Sequence, residues 1–315
     1  MLRLCVCCKR GINYHVCTMD QSAVSKHYDA VASDYDRQYE REGLRDLTRP
    51  YPANYFRLQL LLNSFASKGI KRVIEVGVGE GTPLATLGRT GIDVWGFDIS
   101  PAMVEASRAR MQQHNMNPEH IFWGDIQDST TYSHVFKDGL FDGLMAMGVM
   151  PHVSNDDMVI ENMATLVRPG GSVFIEFRNS LFSLFTFNRY TADFILNELL
   201  ANVSSEVKAA VGKDLESRLR MDMPPTRQTV AGSNAPGYDA ILSRFHNPFE
   251  VLDLFAKHGF EQTKLLWYHY HPAMPYLEGS MAAAFRDEAI RLEREPSGWR
   301  GFFLCSAFVV EAVKK

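Results

Sequence analysis

Glu75, Gly77, Gly79 and Gly81 constrain this chain more than any other residues, because they alternate directly behind the apolar run Arg72-Val73-Ile74-Glu75-Val76. A buried strand that runs into a glycine at every second position turns where a Cβ would obstruct, and the helix that follows offers unpaired amide N–H groups at its start. Bare backbone is thereby presented to a ligand, and a merely tight turn is the alternative reading. The spacing differs from the G-x-G-x-x-G of dinucleotide sites and no Walker lysine follows, so neither NAD nor a triphosphate is the expected ligand. At the strand end, Glu75 can accept a hydrogen bond from an ammonium group.

The surrounding sequence alternates strands and helices. Lys71 to Gly77, Asp93 to Phe97, His120 to Trp123, Phe141 to Ala146 and Ser172 to Phe177 read as strands, the last following the Pro169-Gly170-Gly171 turn. Thr82 to Arg89, Pro101 to His114 and Asp156 to Leu166 read as the helices between them. This order predicts a mainly parallel sheet covered by helices, with its ligand crevice at the carboxyl ends of the strands. Further on, Val251 to His258 and Glu278 to Glu295 read as helices, and Gln262 to Tyr268 and Phe302 to Val313 as strands. Ahead of the sheet, Gln21 to Glu42 has helical spacing, and Tyr55 to Phe65 begins a helix after the breaks at Pro50 and Pro52.

Two further acids fall at strand ends. Asp98 closes the second strand, where a carboxylate can accept two hydroxyl hydrogen bonds from a ribose. Asp125 follows the third strand in Trp123-Gly124-Asp125-Ile126, placed to accept from an adenine amino group while Ile126 packs on the ring. Helix capping and turn formation are the alternatives for each acid taken alone. Their joint placement with the glycine loop favours a nucleoside ligand.

On these residues the chain resembles the class I S-adenosylmethionine-dependent methyltransferase family, in its small-molecule branch. The likeness runs through Val73-Ile74-Glu75-Val76-Gly77-Val78-Gly79-Glu80-Gly81, Gly96-Phe97-Asp98-Ile99-Ser100, Gly124-Asp125-Ile126, Phe141-Asp142-Gly143-Leu144 and Leu166-Val167-Arg168-Pro169-Gly170-Gly171. It implies a Rossmann-like α/β fold: a seven-stranded, mainly parallel sheet with helices on both faces. It also implies S-adenosyl-L-methionine as cofactor, with S-adenosyl-L-homocysteine as product. By the same resemblance Glu75 lies near the methionine amino group, the Gly77 to Gly81 loop cradles the methionine portion, Asp98 holds the ribose hydroxyls, Asp125 and Ile126 meet the adenine, and Ile99 belongs to the same cofactor site. Tyr28-Asp29-x-x-Ala32-x-x-Tyr35-Asp36 is similar to the N-terminal helix of such enzymes, so Tyr28 and Tyr35 either close over the cofactor or anchor that helix to the core. Arg57 reads as a solvated helix arginine, with the cofactor carboxylate as its other use. Met147 is expected at the sulfur or in the core.

The chain then divides into a flexible leader (1–19), an N-terminal helical cap (20–69), the first part of the core (70–179), an inserted substrate cover (180–245) and the rest of the core (246–315). Methyl transfer needs an aligned acceptor more than a metal, and a base only where the acceptor retains a proton. His152, after the fourth strand, is the candidate base, with an unperturbed pKa near 6.5. A loop-stabilising histidine is its alternative. Arg178, Asn179, Arg189, Tyr190, His246, His269 and His271 are expected to meet the acceptor, and Asn188 shares the hydrogen-bonding role. In a regular strand His269 and His271 would share one face and Tyr268 and Tyr270 the other. The 66 residues of the cover balance seven acids against seven bases, which suits a compact polar acceptor. The hydroxyl of a sugar-linked or other oxygen-rich metabolite is the leading expectation. N-methylation of a small amine and a nonenzymatic cofactor-binding or assembly role are the alternatives.

Composition narrows the partners. A net charge of −4, from 33 Lys plus Arg against 37 Asp plus Glu, without clustered bases, argues against nucleic acid. No apolar run suits a signal peptide or a membrane span, so a cytoplasmic monomer or homodimer with a small-molecule acceptor is expected. Four of the five cysteines, Cys5, Cys7, Cys8 and Cys17, crowd the leader, where His15 is the nearby histidine. The paired C-x2-C spacing of zinc knuckles is missing there, and no metal is expected.

Overall fold

A computed structural model of the chain describes residues 21–31 and 39–315. The expected leader, its cysteines and Tyr35 lie outside the described residues. The strands are β1 (Arg72–Val76), β2 (Asp93–Asp98), β3 (Ile121–Trp123), β4 (Phe141–Ala146), β5 (Val167–Arg178), β6 (Phe260–Tyr270) and β7 (Cys305–Lys314). They form one sheet in the order β3-β2-β1-β4-β5-β7-β6. The first five strands pair in parallel, and β7 runs antiparallel to both β5 and β6.

Side-chain alternation sorts the core onto two faces. On one, Ile74, Val76, Leu144, Val173, Ile175 and Phe308 pack together; on the other, Val73, Met145, Phe174 and Val309 pack under the helices. Burial on both faces is why these strands read as continuous apolar runs. The helices of the sheet are α1 (Gln21–Val31), α2 (Ala53–Lys68), α3 (Thr82–Gly88), α4 (Pro101–Gln113) and α5 (Asp156–Leu166). Ser100 caps α4 by accepting from Met103 N, and Asn155 caps α5 by accepting from Met158 N.

Between β5 and α9 (Pro248–Lys257), residues 180–245 carry α6 (Ser183–Thr186), α7 (Arg189–Asp193), a π-helical turn at Phe194–Leu199 and α8 (Ser205–Arg218). The segment returns over the carboxyl end of β4: Arg244 N donates to Pro151 O, and His27 Nδ1 lies 2.8 Å from Pro236 O. The helix α10 (Ala282–Leu292) and the short α11 (Gly301–Leu304) precede β7.

Several expected boundaries shift. β5 begins at Val167, which pairs with Phe141 before a register break, so Pro169-Gly170-Gly171 is an irregularity within the strand rather than a turn ahead of it. The expected helix over Glu278 to Glu295 is split, because Met281 is non-helical between a 3-10 turn and α10. Phe302 to Leu304 are helical rather than strand, and Gly301 at the start of this turn packs so closely on Trp267 that a Cβ would overlap the indole. In β6, His269 has a φ of +59°. This local reversal separates Tyr268 and Tyr270, which pack in opposite core layers instead of sharing a face.

The strand end also fixes Asn179. Its side-chain amide donates to Phe302 O and Cys305 O, each at 2.8 Å, while Oδ1 accepts from Leu181 N at 3.1 Å. Fully buried, it joins β5 to the turn before β7 and has no spare donor for an acceptor molecule. Asn179→Ala is expected to cost about 2–4 kcal/mol in urea unfolding, through orphaned buried carbonyls, while S-adenosyl-L-homocysteine affinity stays within about twofold of the parent.

Candidate functional site

A cleft of about 830 Å³, counting its open mouth, lies at the carboxyl ends of β1, β2 and β4. Loops leaving β1 and β4 line it together, at the switch point where the strand order reverses. The glycine loop is tied to the next strand, since Gly77 N and Val78 N both donate to Phe97 O. Gly77 (φ +70°) has no room for a Cβ, which would stand 2.5 Å from Val149 Cγ2. At Gly79 (φ +56°), by contrast, a Cβ would meet nothing within 4 Å, so its backbone faces open cleft.

Three carboxylates ring this opening. Asp98 Oδ2 accepts from Gly79 N and Oδ1 from Ser100 N, both at 2.9 Å. Each oxygen keeps a second lone pair. Burial pushes the Asp98 pKa up to about 6, against the opposing pull of those N–H groups. Glu75 is 2% exposed, and its Oε2 has no hydrogen-bond partner among the described residues. Its burial holds the pKa well above the usual carboxylate range, opposed by the nearby Arg57 charge. Asp125 is also raised by burial, and Oδ1 accepts from Gln127 N at 2.9 Å. Ile99, Ile126 and Met147 line the same space.

Arg57 departs from the expected solvated side chain. It is 5% exposed, paired with Glu176 and hydrogen-bonded to Tyr39 Oη at 2.9 Å, and it lines the cleft beside Glu75. A lone arginine in a helix carries no signal of a buried partner 119 residues away.

His152 faces Tyr28 across the cleft. Its Nδ1 lies 2.6 Å from Leu242 O and its Nε2 lies 2.9 Å from Tyr28 Oη. A carbonyl can only accept, so Nδ1 carries the proton and Nε2 receives the tyrosine hydroxyl. Burial lowers the His152 pKa to about 4, partly offset by the bond to Leu242 O, with the Arg178 and His27 charges adding to the depression. The imidazole is therefore neutral well below pH 6.5. Gln21, Val24 and Tyr28, one face of α1, line this end of the cleft.

The remaining expected acceptor residues are dispersed. Asn179 is spent as described, and Asn188 caps α7 by accepting from Tyr190 N. Arg189 donates to Pro224 O and Tyr190 Oη, and Tyr190 packs near Phe245. His246 turns to a separate cavity with Asp156, 3.5 Å away, because its backbone is held to Arg178 O and Ser180 N. His269 bonds Ser306 Oγ and stacks on Tyr51, with His271 beside it against Phe182. None of these lines the cleft. Only Arg178 comes near, through Tyr238 and His152. Tyr238 and Leu242 were not foreseen; they lie in a polar loop without periodic pattern, and no local signal marks them.

The sequence of residues 74–175 matches the protein family described as "Methyltransferase domain". A ubiquinone biosynthesis O-methyltransferase of Coxiella burnetii is 28% identical over 147 residues, 46% of this chain and 59% of that protein. The chain thus matches about three fifths of the length of that relative. Its counterpart from Pectobacterium atrosepticum is 25% identical over 231 residues, 72% of this chain and 88% of the other. Among solved structures, the magnesium protoporphyrin IX methyltransferase of Synechocystis PCC 6803 with bound S-adenosyl-L-methionine superimposes with a TM-score of 0.51 at 12% identity, covering 95% of this chain and 99% of that one. Residues 74–175 thus match a methyltransferase domain, and the strand order and the superposition give the chain the fold of class I S-adenosylmethionine-dependent methyltransferases.

The cleft's donor and acceptor set fits that cofactor. An orphaned buried carboxylate oxygen suits an ammonium, Asp98 suits a diol, and the open backbone at Gly79 leaves room for close approach. A diol donates best to the ionised carboxylate. Asp98→Asn should therefore weaken S-adenosyl-L-homocysteine binding on the order of 10- to 100-fold at pH 8, and by much less at pH 5, where the parent carboxyl is itself mostly protonated. Calorimetry of parent and variant at the two pH values checks this. An equal ratio at both would contradict it.

Proposed function

We propose that this chain transfers a methyl group from S-adenosyl-L-methionine to a hydroxyl of a small, oxygen-rich acceptor such as a sugar-linked metabolite. The observation that carries the hydroxyl reading is the Tyr28–His152–Leu242 chain at the edge of the cleft. The curated relatives named above are O-methyltransferases, which is consistent with it.

In this reading Glu75 Oε2 receives the cofactor ammonium, Asp98 and Ile99 hold the ribose, Asp125 and Ile126 hold the adenine, and Met147 lines the reacting end. The bound cofactor supplies an already activated methyl group, so the protein's own contribution is alignment, water exclusion and proton management. Arg57 and Tyr39 close the floor beside Glu75. His152 Nε2 presents a lone pair whose direction is fixed by the Leu242 carbonyl on the far side of the ring. An acceptor hydroxyl that takes the place of the Tyr28 hydroxyl donates its proton there. A base with a pKa of about 4 is weak, so it assists as the methyl bond forms rather than ionising the hydroxyl beforehand.

Incubating the protein with methyl-labelled cofactor and a fractionated metabolite extract, followed by mass spectrometry, identifies the acceptor and the atom modified. Label on oxygen is expected; label on nitrogen would contradict the hydroxyl assignment. With that acceptor in hand, His152→Ala should lower kcat by about 100-fold, toward the low end of general-base effects. The parent kcat should stay level from pH 8 down to pH 5.5, because the imidazole is still neutral there. A kcat that halves near pH 6.5 would mean that His152 titrates freely.

A further inference from the structure

Arg178 is the last residue of β5, on the strand face that also carries Glu176 two residues earlier, about 7 Å back along the chain. Glu176 is neutralised by Arg57 in the cleft floor, so Arg178 projects from the same face one step nearer the strand ends. Its guanidinium carbon lies over the Tyr238 ring, 4.4 Å from the centroid, and 5.9 Å from the centroid of the Phe245 ring. Tyr238 in turn meets His152 edge-on at 5.5 Å.

The other arginines of this corner have anions. Arg227, 4.8 Å from the same Tyr238 ring, and Arg189 both face Asp239, and Arg244 forms a two-pronged pair with Asp156. The side chain of half-buried Arg178 has neither an ion pair nor a hydrogen bond among the described residues. Its backbone is fixed, because its carbonyl accepts from His246 N at 2.7 Å and the adjoining Asn179 is fully bonded. A guanidinium that rests over an aromatic ring without an acceptor keeps its N–H donors available, an arrangement that suits the two oxygens of a carboxylate or phosphate.

We propose that Arg178, stacked on Tyr238 beside His152, is the docking point for an anionic group of the acceptor, a carboxylate or a phosphate. The acceptor is then a hydroxy acid or a phosphorylated hydroxy compound, oriented by this contact with its hydroxyl toward Tyr28 and His152. The inference rests on the methyl-transfer reading for the word acceptor, whereas the anion site itself stands on Arg178 alone. The positive charge also has a local effect: burial is the main cause that keeps His152 neutral, the bond to Leu242 O opposes it, and the Arg178 charge adds to it.

The test is calorimetric titration of benzoate and of phenyl phosphate into protein saturated with S-adenosyl-L-homocysteine. At least one is expected to bind, the tighter one naming the source of the anion, and Arg178→Gln is expected to weaken it by about tenfold or more. Phenol should not distinguish parent from variant, and the affinity of the variant for S-adenosyl-L-homocysteine should match the parent. Failure of both anions to bind the parent, or equal binding to the variant, overturns the proposal. Failure of S-adenosyl-L-homocysteine to bind overturns the methyl-transfer reading instead, and the anions titrated into the protein alone still decide the role of Arg178. Should Arg178→Gln not fold, Arg178→Lys decides: it keeps the charge without the planar fork, so a loss of about threefold or more supports the site and an unchanged affinity contradicts it.

Discussion

The structure depends most on carboxylates held in a place where charge is costly. Asp98 is buried at the end of β2 and is stabilised there by the N–H groups of Gly79 and Ser100, one from the glycine loop and one from the start of α4. That single side chain joins three elements, and it requires Gly79 to bring its backbone inward. Glu75, two strand positions before Gly77, has a buried oxygen with no described partner. Such groups destabilise the empty fold, since desolvation raises their pKa values. A ligand with an ammonium and a diol relieves that cost, and the cleft is shaped by residues that cannot relieve it themselves.

Much of this arrangement is legible in sequence because it is local. Alternating glycines after an apolar strand, and an acid at the end of each of the next two strands, are separated by fixed element lengths, so the β-α repeat carries each to the same edge of the sheet. Asp98, Asp125, Ile126 and Met147 are all placed in this way. Helix starts at Ser100 and Asn155 are equally local, each marked by a capping side chain, whereas α9 starts at Pro248, three residues ahead of the expected Val251.

What sequence does not reveal is long-range or depends on a backbone irregularity. The partnership of Arg57 with Glu176 joins residues far apart in the chain, and neither residue type announces burial. The positive φ at His269 breaks the two-residue alternation on which face assignments rest, and it carries His269 toward Tyr51 and Ser306. Asn179 and His246 look like polar groups at a strand end and a cover end. The chain uses them instead as fasteners: the Asn179 side chain ties the end of β5 to Phe302 and Cys305, and the His246 backbone ties the end of the cover to Arg178 and Ser180. Tyr238 and Leu242 matter because the segment over residues 236–244 folds back on α1 and the turn after β4, a tertiary event with no periodic signature. The acceptor side of the site is therefore readable only in three dimensions, and the cofactor side largely in one.

The central claim is that the glycine loop and its buried acids form the cofactor cleft. A crystal structure of the protein with S-adenosyl-L-homocysteine tests it most directly. The ribose hydroxyls are expected within hydrogen-bond distance of the Asp98 carboxylate, the amino group against Glu75, and the adenine against Asp125 and Ile126. A ligand seated elsewhere, or one whose ribose leaves Asp98 bonded only to Gly79 and Ser100, would contradict it.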